Sequence, residues 1–266
     1  IDEIQLALDS GADPKNICHV DFEIVEGVRI QDWVLPFVYA TYLGNQEVLD
    51  FLILKEFPQL GFKEKHPPLQ IAAIKQDLPT IQKLFKLGVK YYELGNNPEY
   101  SCSPFSFHGY PYEGAPLYWA IRWNRLDILE ELLKFQNAEK SLNCKGRSTF
   151  VNEKHFHGTP LAYAASLGRA DMVRRLLEMG SDPSIGQEYE EKWLTPLYYA
   201  VTSNCLDCVR EILKAGGKQD QLDAHRRPLL HTAAEMGDAE IVKALLQHGA
   251  DVNQTDLCGG YNGYSN

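Results

Sequence analysis

Thr159-Pro160-Leu161-Ala162-Tyr163-Ala164-Ala165-Ser166-Leu167-Gly168 is the stretch from which the fold can be read. Pro160 suits the first turn of a helix, where its missing N–H is not needed. Ala164 is small enough to let a second helix approach closely. Met172-Val173 and Leu176-Leu177 follow at helical spacing and make one apolar stripe. Gly180-Ser181-Asp182-Pro183 comes next, with Gly180 where a left-handed cap would end the second helix.

The same order returns on both sides. Downstream it reads Thr195-Pro196-Leu197-Tyr198-Tyr199-Ala200, then Cys208-Val209, Ile212-Leu213 and Gly216. It reads again as Leu229-Leu230-His231-Thr232-Ala233-Ala234, then Gly237, Ile241-Val242, Leu245-Leu246 and Gly249-Ala250-Asp251-Val252-Asn253. Upstream copies open at Leu35-Pro36-Phe37, Pro67-Pro68-Leu69 and Ala115-Pro116-Leu117, with small residues at Ala40, Ala72 and Ala120 and a closing Gly88. Residues 1–14, ending Gly11-Ala12-Asp13-Pro14, read as the back half of an earlier copy. A period this regular marks a repeat array.

These motifs resemble the ankyrin repeat, most strongly over 159–184 and 227–253. The resemblance implies an all-α fold: a solenoid of antiparallel helix pairs with β-turn or hairpin fingers. It also implies binding of another protein through the fingers and inner helices, with no intrinsic enzymatic activity. The whole chain, 1–266, reads as one such domain. It has a partial repeat at 1–14 and repeats at about 32–60, 65–90, 113–136, 157–184, 193–220 and 226–253. The start in mid-repeat and the stop just inside a new finger suggest a fragment of a longer chain.

Successive repeat prolines are separated by 32, 48, 44 and 36 residues, and Leu229 follows Pro196 by 33. Against a period of about 33, two connections carry extra chain. Segments 91–112 and 137–156 are therefore insertions, and 15–31 is also long for a finger; in a solenoid such insertions become loops on one face, often the binding face. Segment 91–112 is aromatic. Read as a hairpin turning at His108-Gly109, it sets Phe107 opposite Tyr110 and Phe105 opposite Tyr112, with all four rings on one face. An irregular loop packed on its neighbours is the alternative.

Two positions at the end of each first helix usually face the concave side: Tyr42 and Leu43, Ile74 and Lys75, Arg122 and Trp123, Ser166 and Leu167, Thr202 and Ser203, Glu235 and Met236. Trp and Arg are typical binding anchors, so Arg122 with Trp123 leads this set. The competing reading packs these residues against the insertions. A second column, Tyr39, Ile71, Trp119, Tyr163, Tyr199 and Thr232, reads as core between neighbouring helices. Trp33 and Trp193 share one repeat phase and either mark finger tips or staple a finger to the next helix.

Composition narrows the functions. A formal charge of −10 disfavours nucleic acid as the main partner. No apolar run approaches the roughly 20 residues of a membrane span. Six scattered cysteines in a chain this long fit a reducing, intracellular and cytoplasmic setting. Cys205-Leu206-Asp207-Cys208 is a lone CxxC; zinc needs about four ligands, and neither it nor His155-Phe156-His157 supplies them. No cofactor, metal or catalytic motif is expected. The leading function is a non-catalytic scaffold, adaptor or inhibitor, a monomeric array that binds another protein. The alternative is the targeting arm of a multidomain protein with a separate catalytic domain. Degenerate repeats with long insertions also look similar to bacterial effectors, which would place the chain in host cytoplasm.

Overall fold

The computed structural model describes residues 18–25, 28–34, 36–54, 68–88, 116–135, 142–143, 146–151, 154–189, 192–218 and 227–254. The chain divides into two compact units, residues 1–138 and 139–266. Each is a stack of antiparallel helix pairs accompanied by two-stranded hairpins.

The first unit opens with β1 (Cys18–Val25) and β2 (Val28–Val34), antiparallel in a register running from Cys18 opposite Val34 to Val25 opposite Val28. A bulge lies between Glu23 and Val25. Three helix pairs follow: α1 (Pro36–Leu43) with α2 (Gln46–Leu54), α3 (Pro68–Ile74) with α4 (Leu78–Lys86), and α5 (Pro116–Arg122) with α6 (Leu126–Leu132). First helices pack on first helices, α1 on α3 and α3 on α5, and α4 packs on α6. Gln46 Nε2 donates to Thr80 Oγ1 at 2.8 Å, and Lys83 pairs with Asp50 at 2.7 Å, tying the first two pairs together through their second helices.

The second unit holds hairpin β3 (Gly146–Val151) and β4 (Lys154–Gly158), pair α7 (Pro160–Ser166) and α8 (Ala170–Glu178), and hairpin β5 (Gln187–Tyr189) and β6 (Lys192–Leu194). Pairs α9 (Pro196–Thr202) with α10 (Leu206–Lys214) and α11 (Leu229–Met236) with α12 (Ala239–Gln247) complete it. Again first helices stack on first helices and second on second, and β4 lies against β5.

Local chemistry accounts for these elements. Thr159 and Thr195 cap α7 and α9, their hydroxyls accepting from the N–H groups of Ala162 and Tyr198 at 3.2 and 3.3 Å. The prolines that follow take the first helical position. Ala72, Ala120, Ala164 and Ala200 are fully buried, which lets the paired helices close on one another. On α8 the stripe of Met172, Val173 and Leu176 is buried while Asp171, Arg174 and Glu178 face outward. Burial of each such aliphatic side chain stabilises by about 1.5–3 kcal/mol, more than any surface pair nearby.

Between the two helices of each pair the chain passes through a left-handed residue. Gly44, Gly168 and Gly237 hold this place with φ of 68°, 64° and 79°. In the other three pairs it falls to Gln76, Asn124 and Asn204, with φ of 60°, 54° and 54°. Gly88, Gly180, Gly216 and Gly249 end the second helices with positive φ, as read from the sequence.

Candidate functional site

In the first unit the ends of α1, α3 and α5 bring chemically distinct side chains into one row. Leu43 is 55% exposed and Tyr42 half-buried. Tyr39 stacks on Tyr42 with centroids 5.9 Å apart. Lys75, from the next pair, lies over the Tyr42 ring at 4.8 Å and donates to the Tyr42 carbonyl. At the end of α5, Trp119 and Trp123 stack at 6.3 Å and 27°. The Arg122 guanidinium lies 5.5 Å from the Trp123 ring centroid and 5.9 Å from that of Trp119. Trp119 is buried and Trp123 half-buried; the Trp123 Nε1–H is buried and has no acceptor among the described residues. The row thus offers two cations held over aromatic faces and an exposed leucine.

One turn further on, Arg125 grips Asp127 through two hydrogen bonds of 2.7 and 2.9 Å and donates to Gln76 Oε1 at 3.2 Å. The Arg125 hydrogen bond holds the Asp127 carboxyl below its ordinary range, against a smaller opposing effect of burial. The same bond raises Arg125.

Three inner positions differ from the sequence reading. Ile74 is 1% exposed and belongs to the core: all seven residues of α3 are buried because that helix is the middle one of three. In the aromatic column Ile71, Trp119, Tyr163 and Thr232 are buried, but Tyr39 is 36% exposed and Tyr199 half-buried. Tyr39 lies on the first helix pair of its unit, and its ring rests on Tyr42.

The second unit distributes its inner positions differently. Ser203 Oγ donates to the Ala165 carbonyl of the preceding pair at 2.7 Å, so this residue fastens α9 to α7. Ser166 and Thr202 turn their hydroxyls back onto their own helices, to the Tyr163 and Tyr198 carbonyls. Leu167 is half-buried. Met236 is 47% exposed, beside Glu235, which Arg227 holds at 2.9 Å.

Trp33 lies toward the base of its hairpin, opposite His19, and Trp193 lies opposite Glu188 in the middle of β5–β6. The proposed aromatic hairpin of Phe105, Phe107, Tyr110 and Tyr112 lies outside the described residues. His157 stands on β4 opposite Arg147. Among the described residues no three His, Cys, Asp or Glu side chains gather as a metal site, and no helix is long and apolar enough to cross a membrane. Cys208 is fully buried, as its place in the apolar stripe implies. It is joined to Cys205 by a disulfide, where the scattered cysteines suggested free thiols.

A family model described as ankyrin repeats (three copies) matches residues 108–187 and 185–256. The palmitoyltransferase AKR1 of Kluyveromyces lactis is 31% identical over 208 residues, 75% of this chain and 24% of that protein. The nuclear factor NF-kappa-B p105 subunit of Gallus gallus is 34% identical over 93 residues, 34% of this chain and 10% of that protein. Among solved structures, the ankyrin repeat domain of Bcl-3, a member of the IkappaB protein family, superposes with a TM-score of 0.64 at 20% identity, covering 84% of this chain and 90% of that one. The chain spans about a tenth to a quarter of the length of these two curated relatives.

Proposed function

The chain belongs to the ankyrin-repeat family, and from that premise we propose that it is a non-catalytic module that binds a partner protein along the inner row of its first unit. The family's repeats serve protein interaction, and the described residues hold no cluster suited to a metal. The observation that carries the location is the Arg122–Trp119–Trp123 cluster, a guanidinium lying over two stacked indoles at the end of α5. Lys75 and Arg122 favour an acidic segment, and Leu43 favours an apolar side chain beside it. Aromatic and arginine side chains of this kind dominate binding energy in known interfaces.

Affinity capture with the intact chain, followed by mass spectrometry, tests the reading when run beside Arg122→Glu and Trp123→Ala. Partners that belong to this surface are lost from both variants and kept by Met236→Ser, while circular dichroism shows all three folded. Capture that is the same for every variant removes this surface from consideration.

A second reading follows from coverage. The chain aligns over three quarters of its own length with less than a quarter of a transferase. In that reading the repeats are the recognition arm of a longer protein whose chemistry lies elsewhere in its sequence. Expression of the complete open reading frame, with and without residues 36–254, separates the two readings.

A further inference from the structure

Cys205 and Cys208 stand at the start of α10, with Cα atoms 5.3 Å apart and their sulfurs joined. The repeat itself brings these positions together. In five of the six described pairs the residue three places after the one before the second helix is buried: Thr80, Ile128, Met172, Cys208 and Ile241. Asp77, the N-cap of α4, accepts from the Thr80 N–H at 3.1 Å and from the Thr80 hydroxyl at 2.6 Å. Asp238 accepts from the N–H groups of Glu240 and Ile241 at 2.9 and 3.2 Å. Asn45 accepts from the Val48 N–H at 3.1 Å. The cap is thus a place where backbone donors meet an acceptor, and where the positive end of the helix favours negative charge.

Cys205 fills that place with sulfur. The Cys208 N–H donates to Cys205 Sγ at 3.2 Å, as the Thr80 N–H donates to Asp77. Side chains that touch as Asp77 and Thr80 in one repeat are covalently joined in this one. The two sulfurs are unequally placed. Cys205 is only half-buried, whereas Cys208 is fully buried in the position that Met172 and Ile241 occupy in the neighbouring repeats.

We propose that Cys205–Cys208 is a reversible thiol–disulfide exchange site, entered through Cys205 by small-molecule thiols of the glutathione class and by their disulfides. In the reducing direction a thiolate attacks Cys205 Sγ, the sulfur within reach. A mixed disulfide forms, the Cys205–Cys208 bond breaks, and its electron pair leaves on Cys208, which takes up a proton. A second thiolate attacks the small-molecule sulfur of the mixed disulfide, giving the small-molecule disulfide and Cys205 thiolate. Two thiols are oxidised and one protein disulfide is reduced. In the oxidising direction Cys205 thiolate attacks a small-molecule disulfide, and Cys208 then closes on Cys205 and expels the second thiol. The donors that serve Asp77 and Asp238 at the same position stabilise the Cys205 thiolate.

The repeat keeps its shape in both states. The Cys205 N–H donates to the Ala200 carbonyl at 3.1 Å, and the Val209 N–H to the Cys205 carbonyl at 3.0 Å, independently of the sulfurs. A link between residues three apart closes a very short loop and removes little chain entropy.

Trypsin places both cysteines in one peptide, residues 193–210, so their state can be read directly by mass. The intact folded chain is equilibrated with glutathione and glutathione disulfide at several ratios, trapped with an alkylating agent and digested. The expected peptide is lighter by two hydrogens at the oxidising end and doubly alkylated at the reducing end, with an unchanged circular dichroism spectrum. Cys208→Ala, which cannot resolve the intermediate, is expected to accumulate glutathione on Cys205. Cys205→Ser retains a capping oxygen and is expected to leave Cys208 unmodified while folded. Two free thiols under excess glutathione disulfide overturn the proposal. So does a disulfide that yields to glutathione only after denaturation, or equal modification of the two single variants.

Discussion

The Arg122 guanidinium lies over the Trp123 ring, 5.5 Å from its centroid, although the two residues are neighbours in sequence and their helix ends between them. The arrangement places a cation at the surface with an aromatic face beneath it. Such a contact contributes about 0.5–1 kcal/mol to folding where exposed. A binding anchor contributes about 2 kcal/mol or more, equivalent to roughly 30-fold in affinity. Arg122→Ala is therefore expected to move the unfolding midpoint slightly and the partner's dissociation constant greatly. Denaturant unfolding and titration calorimetry on the same variant check the contrast, and a large loss of stability with unchanged affinity would reverse the assignment.

Leu176 and Leu43 occupy opposite extremes of burial, 0% and 55% exposed. Leu176→Ala is expected to cost about 2–5 kcal/mol through lost contacts and the cavity left behind. Leu43→Ala is expected to stay within about 0.5 kcal/mol. Guanidinium unfolding followed by circular dichroism measures both. A costly Leu43→Ala would mean that this leucine is covered in solution.

Gly168 turns the chain between α7 and α8 at φ 64°. A Cβ there meets only the Cys205 Cβ, at 3.8 Å, so space is not the obstacle. Gly168→Ala is expected to cost about 1 kcal/mol from the left-handed backbone alone. Asn204→Gly, at the same turn one pair later, is expected to be neutral or slightly stabilising. Thermal melts of the two variants moving in the same direction would contradict a conformational cause.

Asp127 binds its proton less readily in the folded chain, chiefly because of the Arg125 hydrogen bond. Asp182 does so chiefly because of the Ser184 hydroxyl, aided by the Ser184 N–H. The folded state therefore holds fewer protons than the unfolded state at these sites. Their contribution is complete above the unfolded carboxylate value of about 3.9 and fades as pH falls through the lower folded values. Carboxyl-carbon NMR titration should show the Asp127 midpoint rising toward the ordinary value in Arg125→Gln. An unmoved midpoint would show that the pair does not form.

The helices were legible because their signals are local. Thr159-Pro160 and Thr195-Pro196 announce a capped start, and the stripes through Met172, Leu176, Cys208 and Ile212 announce a buried face. The hairpin of β1 and β2 escaped this reading, since segment 15–31 was recognised by its length rather than its pattern. Its period was present: Cys18, Val20 and Phe22 alternate with His19, Asp21 and Glu23, and Val28 and Ile30 answer across the turn. Ile74 was misplaced for a different reason. Position along a repeat predicts which way a side chain points, but α3 is flanked on both sides, and stacking order is a property of the assembled unit. The sulfur pair shows the same limit: a spacing of three becomes meaningful only once Cys205 is known to be the residue before the helix.

Within each unit a helix touches its own partner and the corresponding helix of the adjoining pair, and the two helices of a pair are joined by only two or three residues. Sequence separation between contacting residues is thereby kept short. Low contact order favours rapid folding, and repeats of this design can nucleate at any point and propagate. A ribosome releasing this chain from its N-terminal end would therefore deliver repeats that can condense as they emerge, each later pair of a unit settling on the pair before it.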